Sequence, residues 1–406
     1  MNIVCIAAAE WHGMWARAQQ LMVRLAVQGH NILYVDPPIT YIAPLKNPIL
    51  WKRRWREKKG LQTMEPVEYE NGSSDGRLHR ESGQIYLFKP PLFLPFHGMK
   101  RTINRKNQEI FARKLVEALD ELNWSKPLLW TYLPGTCDFI NASESIKWSS
   151  VIYDCVDDHG AFTGLHDPQA MQEMENELAR NAHVVFASAR ALQEKMEKVR
   201  RDVHLVPNGA DVEHFRRPHQ DTIQMPLSPQ KPPLDLPQNN KGLIGFVGGL
   251  GDWIDIELLA KVARYRRDYD LVIIGPVETD IRPLQGLENV YLLGRKPYQE
   301  LPAYVQRFQV CLSPFKLNEL TRSVNPVKIY EYLAAGCAVV STALPEVVPF
   351  EPTIAVGRNH LEFLRHIDAA LEQDSPEKRA ERVALAEEHA WESRLNQMWQ
   401  AIEKTL

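Results

Sequence analysis

The chain alternates short apolar runs with amphipathic stretches in two successive series, and that alternation limits what it can fold into. In the first series NIVCIAAA leads into ARAQQLMVRLAVQG, where Ala18, Leu21 and Leu25 recur at helical spacing, and NILYVDPP follows. Strand, helix and strand in that order favour a parallel sheet with right-handed crossovers. Further strands are predicted at 127–132, 150–154 and 182–188, followed by HLVPNG at 204–209. Residues 216–240 break the pattern with six prolines among polar residues, which reads as a crossing between domains. The second series runs KGLIGFVGG, a helix from about Asp255, DLVIIGP, VYLLG, QVCLSPF, a helix at 326–335 and CAVVST. A final amphipathic helix is expected from about 386 to 404, with Trp391, Leu395, Met398 and Ile402 on one stripe. The expected fold is α/β, with Rossmann-like parallel-sheet domains over 1–209 and 242–385 and a crossing at 210–241.

Composition agrees with two domains. A chain of 406 residues and 46.6 kDa exceeds one ordinary core. With 44% hydrophobic and 24% charged residues it is globular in character, and a net charge of −3 offers no global signal for nucleic acid. Cys5, Cys137, Cys155, Cys311 and Cys337 form no CxxC pair, and four of them sit in or beside apolar runs, so buried reduced thiols are expected. The N-terminal MNIVCIAAAEWHG lacks a basic segment, which argues against a secretion signal. No apolar run approaches the ~18 residues a spanning helix needs. A cytoplasmic location is expected.

Four segments carry candidate chemistry. In NPVKIYEYLAAGCAVVST at 325–342, Asn325 suits an N-cap and Pro326 the first helical position, while Gly336 ends the helix and Ala338 begins a buried strand. Lys328 and Glu331 lie three apart, on one face of the first two turns. A cation and a carboxylate at the positive end of a helix suit a phosphorylated ribose; a solvated surface pair is the plainer alternative. FVGGLGDW places Gly248 and Gly249 where backbone can approach a phosphate closely and a helix N-terminus can face it. A tight turn with no ligand reads equally well. Neither this turn nor AAAEWHGMW carries the full glycine fingerprint of a dinucleotide site.

In YDCVDDHGAF the strand SVIYD ends at Asp154, so the loop lies above the carboxyl ends of the strands, where open α/β sheets bind ligands. Asp157 is the expected general base, with Asp158 and His159 as close alternatives; the competing reading is a capping cluster that orders the loop. No further carboxylate or histidine cluster supports a metal, and none is expected. Trp11, His12 and Trp15 follow the first strand, and their rings suit either sugar stacking or ordinary packing. WKRRWREKKG at 51–60 mixes six cations with two tryptophans, and 87–106 mixes apolar residues with Lys100, Arg101, Arg105 and Lys106. Such segments suit an anionic membrane surface or a solvated loop.

The 325–342 segment resembles the donor-binding helix of sugar-nucleotide-dependent GT-B glycosyltransferases, in which the glutamate grips the nucleotide ribose. GFVGG, VIIGP, LLGRKPYQELPAYVQRFQVCLSPF and the 325–342 helix follow the order of the nucleotide-binding domain of family-4-type enzymes over roughly 242–345. Two departures stand out: Ser323 occupies the usual place of a second glutamate, and Gly249 and Leu250 replace a common Arg and Lys. Lys328, with Arg295 or Arg322, would compensate. Across its length the chain is similar to glycosyltransferases of teichuronic-acid and capsule biosynthesis, through WARAQQL at 15–21, LYVDPP at 33–38, YDCVDDHGAF at 153–162, PNGADVEHF at 207–215 and NPVKIYEYLAAG at 325–336.

The resemblance implies a GT-B fold whose two domains face a cleft, the last helix (386–406) crossing back to the first domain. It implies donor contacts at Gly248, Gly249, Arg295, Asn325, Pro326, Lys328 and Glu331, and acceptor contacts at Trp11, His12 and Trp15. The partners implied are a nucleotide-diphosphate sugar and a glycan or lipid-linked acceptor, with no cofactor, no metal and no nucleic acid. Peripheral membrane contact would run from Trp51 to Lys59 and from Lys100 to Lys106. A nucleotide-sugar epimerase of the same fold and a non-catalytic scaffold are the alternative functions.

Overall fold

A computed structural model describes residues 1–42, 64–67, 82–161, 167–216 and 233–406. The basic segment 51–60 and most of the proline-rich crossing, 217–232, lie outside the described residues. The chain divides into two units, Met1–Val206 with Leu395–Leu406, and Pro207–Arg394.

The first unit is built on strands β1 (Asn2–Ile6), β2 (Asn31–Val35), β3 (Met64–Val67), β4 (Ile85–Phe88), β5 (Leu128–Thr131), β6 (Val151–Cys155), β7 (Val184–Ala187) and β8 (Val203–Leu205). They lie in the order β3-β4-β2-β1-β5-β6-β7-β8, with β3 antiparallel to β4 and every other neighbour parallel. Helices α1 (Arg17–Val27), α2 (Arg101–Glu121), α3 (Thr136–Ala142), α4 (Pro168–Asn181) and α5 (Arg190–Glu197) connect them. The central strands are buried along nearly their whole length, as strands covered on both faces must be. The chain changes direction across the sheet between β1 and β5, which puts a crevice at the carboxyl ends of those strands.

Helix α1 buries polar side chains, and each has a partner. Arg17 Nε donates to Asp154 Oδ2 at 2.8 Å and Nη1 to the Val206 carbonyl at 2.8 Å. Gln19 Oε1 accepts the Ala16 N–H at 3.1 Å while its Nε2 donates to the Glu10 carbonyl at 3.0 Å. The polar letters of WARAQQL therefore fasten the start of α1 to β6 and to its own preceding loop.

The second unit carries β9 (Gly242–Val247), β10 (Tyr269–Ile274), β11 (Val290–Gly294), β12 (Val310–Ser313), β13 (Ala338–Thr342) and β14 (Ala355–Gly357), all parallel in the order β11-β10-β9-β12-β13-β14. Its helices are α6 (Val212–Phe215), α7 (Ile256–Tyr265), α8 (Leu301–Val305), α9 (Val327–Ala334), α10 (His360–Gln373) and α11 (Pro376–Glu388). The last helix, α12 (Trp391–Glu403), spans the boundary between the units. Here the order reverses between β9 and β12. Gly275 makes the β9 end possible: at φ +149° a Cβ would stand 2.0 Å from the Gly248 carbonyl oxygen. Gly336 ends α9 as expected, at φ +70°, with its N–H bonded to Leu333 O at 2.8 Å and Cys337 N–H to Tyr332 O at 3.0 Å.

The expected strands of both series are present, and all five cysteines are buried and free. Strands β3, β4 and β14 and helices α2, α3, α4, α6, α8, α10 and α11 were not expected from the sequence. The last helix starts at Trp391 rather than near 386, because Ala210 pairs with Ala390 there: Ala210 N–H reaches His389 O at 2.9 Å and Trp391 N–H reaches Ala210 O at 3.0 Å. That pairing takes the backbone groups a continuous helix would need.

Candidate functional site

In the second unit the site gathers at the start of α9. No side chain caps this helix, and Pro326 holds the N-cap position. Asn325 is differently occupied from its expected capping role. Its Oδ1 accepts the Asn208 N–H at 3.0 Å, and its carbonyl accepts Asn208 Nδ2 at 2.7 Å. It thus binds the PNG segment to the start of α9. Lys328 Nζ lies 2.6 Å from Glu331 Oε2, as the spacing of the two residues predicts. The Glu331 side chain is only 2% exposed, and its other oxygen, Oε1, is buried without a hydrogen-bond partner among the described residues. Burial pushes this carboxyl above the usual carboxylate range, and Lys328 pulls against that shift. A buried acceptor with no donor is uncommon in a native fold and invites one from a ligand.

Three neighbours complete the cluster. The His214 ring, on α6, stacks on Tyr298 at 4.5 Å with planes 13° apart, and its Nε2 lies 3.0 Å from the Tyr298 carbonyl. Tyr298 Oη donates to Asp211 Oδ2 at 3.4 Å, and Lys328 Nζ sits 5.8 Å from the centre of the Tyr298 ring. Lys328 is thereby held between a carboxylate and an aromatic face. Within PNGADVEHF nothing local marks Asp211 or His214 for this cluster, because only tertiary structure brings residue 214 to residue 298.

The Gly248 turn differs from expectation. Gly248 N–H is bonded to Ile274 O at 2.8 Å and Leu250 N–H to Pro276 O at 2.9 Å. Helix α7 does not begin until Ile256, and Asp255 caps it, accepting the Leu258 N–H at 2.8 Å. The other oxygen of Asp255 lies 2.8 Å from His360 Nε2. A carboxylate therefore already occupies the helix end that the sequence offered to phosphate. Gly249 is buried, and Arg295 is exposed just past β11. Where the family pattern has its second glutamate, the Ser323 hydroxyl donates to Leu320 O at 3.0 Å.

In the first unit, the loop after β6 separates its three candidates by their partners. Asp158 accepts from Lys195 Nζ at 2.7 Å and from the Gly160 N–H at 3.2 Å. Lys195 in turn reaches the buried Glu175 at 2.6 Å. His159 Nε2 lies 3.1 Å from the Tyr132 carbonyl. The Asp157 carboxylate is half-buried and makes no hydrogen bond or ion pair among the described residues. Burial pushes it up, with a further rise from the Asp158 charge and an opposing pull from His159. On the β1 side, Trp11 is 4% exposed and packs against Tyr34, ring centres 5.0 Å apart, while its backbone N–H donates to Asp36 Oδ1 at 2.8 Å. His12 is exposed and Trp15 half-buried.

A cavity of about 210 Å³ opens at these same strand ends and has His159 in its wall. Beside it, Arg101 bonds Asp138 at 3.0 Å and also pairs with Glu177, while Arg105 lies 3.4 Å from Asp138. Cys137, Asp138 and Glu177 are spaced to share a metal ion, but the Arg101 guanidinium already neutralises both carboxylates. Of the five cations between residues 87 and 106, Lys100 and Lys106 remain exposed and unpaired among the described residues. No helix among the described residues is long and apolar enough to cross a membrane.

A family profile described as glycosyl transferases group 1 matches residues 241–373, which span β9 to α10 and hold Lys328 and Glu331. This stretch is a group 1 glycosyl transferase domain. The chain is also similar, at 26% identity over 298 residues, to a Bacillus subtilis (strain 168) protein described as the putative teichuronic acid biosynthesis glycosyltransferase TuaH, covering 67% of this chain and 72% of the relative. Among solved structures, sucrose-phosphate synthase from Thermosynechococcus elongatus is similar at a TM-score of 0.65 and 15% identity, covering 99% of this chain and 98% of that one. Anabaena HepE in complex with UDP is similar at a TM-score of 0.63 and 14% identity over 100% of both chains. The fold is that of the GT-B class, with two Rossmann-like domains, as the resemblance implied.

Proposed function

We propose that the protein moves a sugar from a nucleotide-diphosphate donor to a hydroxyl of a glycan acceptor, lipid-linked and at the inner face of a membrane, in the synthesis of a cell-surface polysaccharide. The observation that carries this reading is Glu331, buried beside Lys328 with one oxygen unpartnered. A ribose hydroxyl would supply the missing donor. Lys328 and the uncapped start of α9 would offset charge growing on the leaving diphosphate, so the proposal includes no metal. The backbone at Gly248 and Gly249 and the Arg295 side chain would border the donor. The acceptor oxygen would attack the anomeric carbon as the bond to the diphosphate breaks and the electron pair leaves with it. Asp157 would take the hydroxyl proton, and His12 and Trp15 would meet the acceptor sugar. TuaH, by its name, supports the polysaccharide setting. HepE, solved with UDP and with UDP and glucose, makes UDP the first nucleotide to try.

The test is thermal stabilisation of the purified protein by a panel of nucleoside diphosphates in the presence of a chelator, repeated on Lys328→Ala and Glu331→Gln. A ligand of the native state raises the melting temperature by mass action. One nucleotide should stabilise the wild type, and each variant should bind it about 10- to 100-fold more weakly, since a hydrogen bond to a charged group contributes about 1.5–3 kcal/mol. Without ligand, Glu331→Gln should melt no lower than wild type, because burial raises the carboxyl's proton affinity and an ionised Glu331 therefore opposes folding at neutral pH. Equal shifts in wild type and both variants would place the nucleotide elsewhere. Nucleotide release that depends on an added acceptor would separate transfer from epimerisation.

A further inference from the structure

We propose that the cavity at the carboxyl ends of β1, β2 and β5 binds the hydrocarbon chain of an acidic lipid, whose phosphate group rests against Lys100. The inference deepens the transferase reading, on which the lipid's role as acceptor rests; the site itself stands on the first unit alone. An apolar cavity of ~150 Å³ takes a benzene-sized guest, and this one measures about 210 Å³. Ile6, Val35, Phe93, Phe111, Met171 and Met174 supply apolar wall, and methionines adapt to a flexible chain.

Several polar groups in the wall are committed to the protein. Asn104 Nδ2 donates to Asp138 at 2.8 Å and to Gly135 O at 3.1 Å, and its Oδ1 accepts from Gln108 at 3.3 Å. Thr136 Oγ1 lies 2.8 Å from Thr131 Oγ1, and His159 Nε2 meets the Tyr132 carbonyl. A sugar entering here would give up hydrogen bonds to water and find few in exchange; a hydrocarbon chain gives up none.

The turn beside the cavity faces two ways. Phe93, His97 and Gly98 line the cavity, while Leu94, Phe96 and Met99 between and after them are 41%, 44% and 43% exposed. Phe96 sits at φ +65°, a conformation that bulky residues rarely adopt, with its carbonyl accepting both Met99 N–H at 3.0 Å and Lys100 N–H at 2.9 Å. From Gln84 to Gln108 the sequence has no Asp or Glu and includes Lys89, Lys100, Arg101, Arg105 and Lys106. Apolar side chains turned outward next to Lys100, which is exposed and unpaired among the described residues, suit an amphiphile of negative charge, not a neutral one.

Farnesyl phosphate, kept below its aggregation concentration, is the probe, with farnesol, inorganic phosphate and glucose 6-phosphate beside it. Binding is read by thermal shift and by tryptophan fluorescence on the wild type, on Met171→Trp, which fills the cavity, and on Lys100→Gln. Farnesyl phosphate should bind, inorganic phosphate alone should not, and Met171→Trp should weaken binding at least tenfold. Lys100→Gln should weaken farnesyl phosphate several-fold and leave farnesol unchanged. A cooperative melt without ligand checks that each variant folds, and Met174→Phe replaces Met171→Trp where it does not. Equal farnesyl phosphate binding by wild type and the filled cavity, no binding at all, or stabilisation by glucose 6-phosphate instead, would overturn the inference. The nucleoside diphosphate shift is read on the same samples, so failure of the donor site and failure of the lipid site are told apart.

Discussion

Asp157 and Asp158 are adjacent on one loop and differ in what surrounds them. Asp158 is tied to Lys195 and to the Gly160 N–H, so its charge is already used. Asp157 has no such partner among the described residues, and burial holds its proton more firmly than an ordinary carboxylate would. A general base works only when ionised, so kcat/KM should fall as pH drops through the Asp157 pKa, with the acid limb above the ordinary value of about 3.9. The neighbours set the direction of two further changes. Asp158→Asn removes a negative charge that makes Asp157 harder to ionise, and the limb should move to lower pH. His159→Asn removes a group that favours the ionised form, and the limb should move to higher pH. Asp157→Asn should cost about 10²- to 10⁴-fold in rate. Rate profiles of the three variants are the measurement. A limb that stays put in both neighbour variants would assign the base to another residue.

At the scale of elements, α1 and β6 are joined through a buried ion pair. Arg17 and Asp154 are both almost fully buried, and Asp154 Oδ1 has no hydrogen-bond partner. Removing one partner of such a pair strands a charge and costs about 3–5 kcal/mol. Arg17→Met should therefore lower the stability of the first unit by that amount in urea unfolding, and Arg17→Met/Asp154→Asn should lose less. Equal losses in the single and the double variant would mean that Arg17 acts through its bond to the Val206 carbonyl. The same pair marks a limit of reading from sequence. WARAQQL was legible as a motif, but the partner of Arg17 lies 137 residues away. Parallel strands such as β1, β6 and β13 were legible because burial on both faces leaves an unbroken apolar run. Helix α2 was not, since its buried face includes Asn104, Asn107 and Gln108, which blur the apolar stripe. Within the site, Lys328 and Glu331 could be paired from helical spacing alone. Asn325 could not be placed, because Asn208 competes for the side chain that would have capped α9, and the stacking of His214 on Tyr298 has no local signature at all.

At the scale of the whole molecule, the two units are built differently along the chain. The second is continuous, Pro207–Arg394, and contains every donor-site candidate; the first is completed by Leu395–Leu406 from the far end of the sequence. Leu395, Met398 and Ile402 of α12 are fully buried, and Thr405 Oγ1 lies 2.9 Å from Ser150 Oγ. Three of the four residues of the stripe read from sequence are thus core residues of the first unit, while Trp391, also buried, falls in the second. Truncating a buried leucine or isoleucine to alanine costs about 2–5 kcal/mol, and 1 kcal/mol lowers the melting temperature of a unit this size by about 2–4 °C. Leu395→Ala and Ile402→Ala should each lower the melting of the first unit by several degrees or more. The stabilising nucleotide should act on the second unit, where its binding residues lie, and its affinity should be unchanged in both variants. Calorimetry with and without nucleotide separates these effects: one transition should follow the α12 variants and another the nucleotide. A single transition that moves in full with both would show that the units unfold together, and residues 395–406 would then stabilise the whole chain rather than the first unit alone.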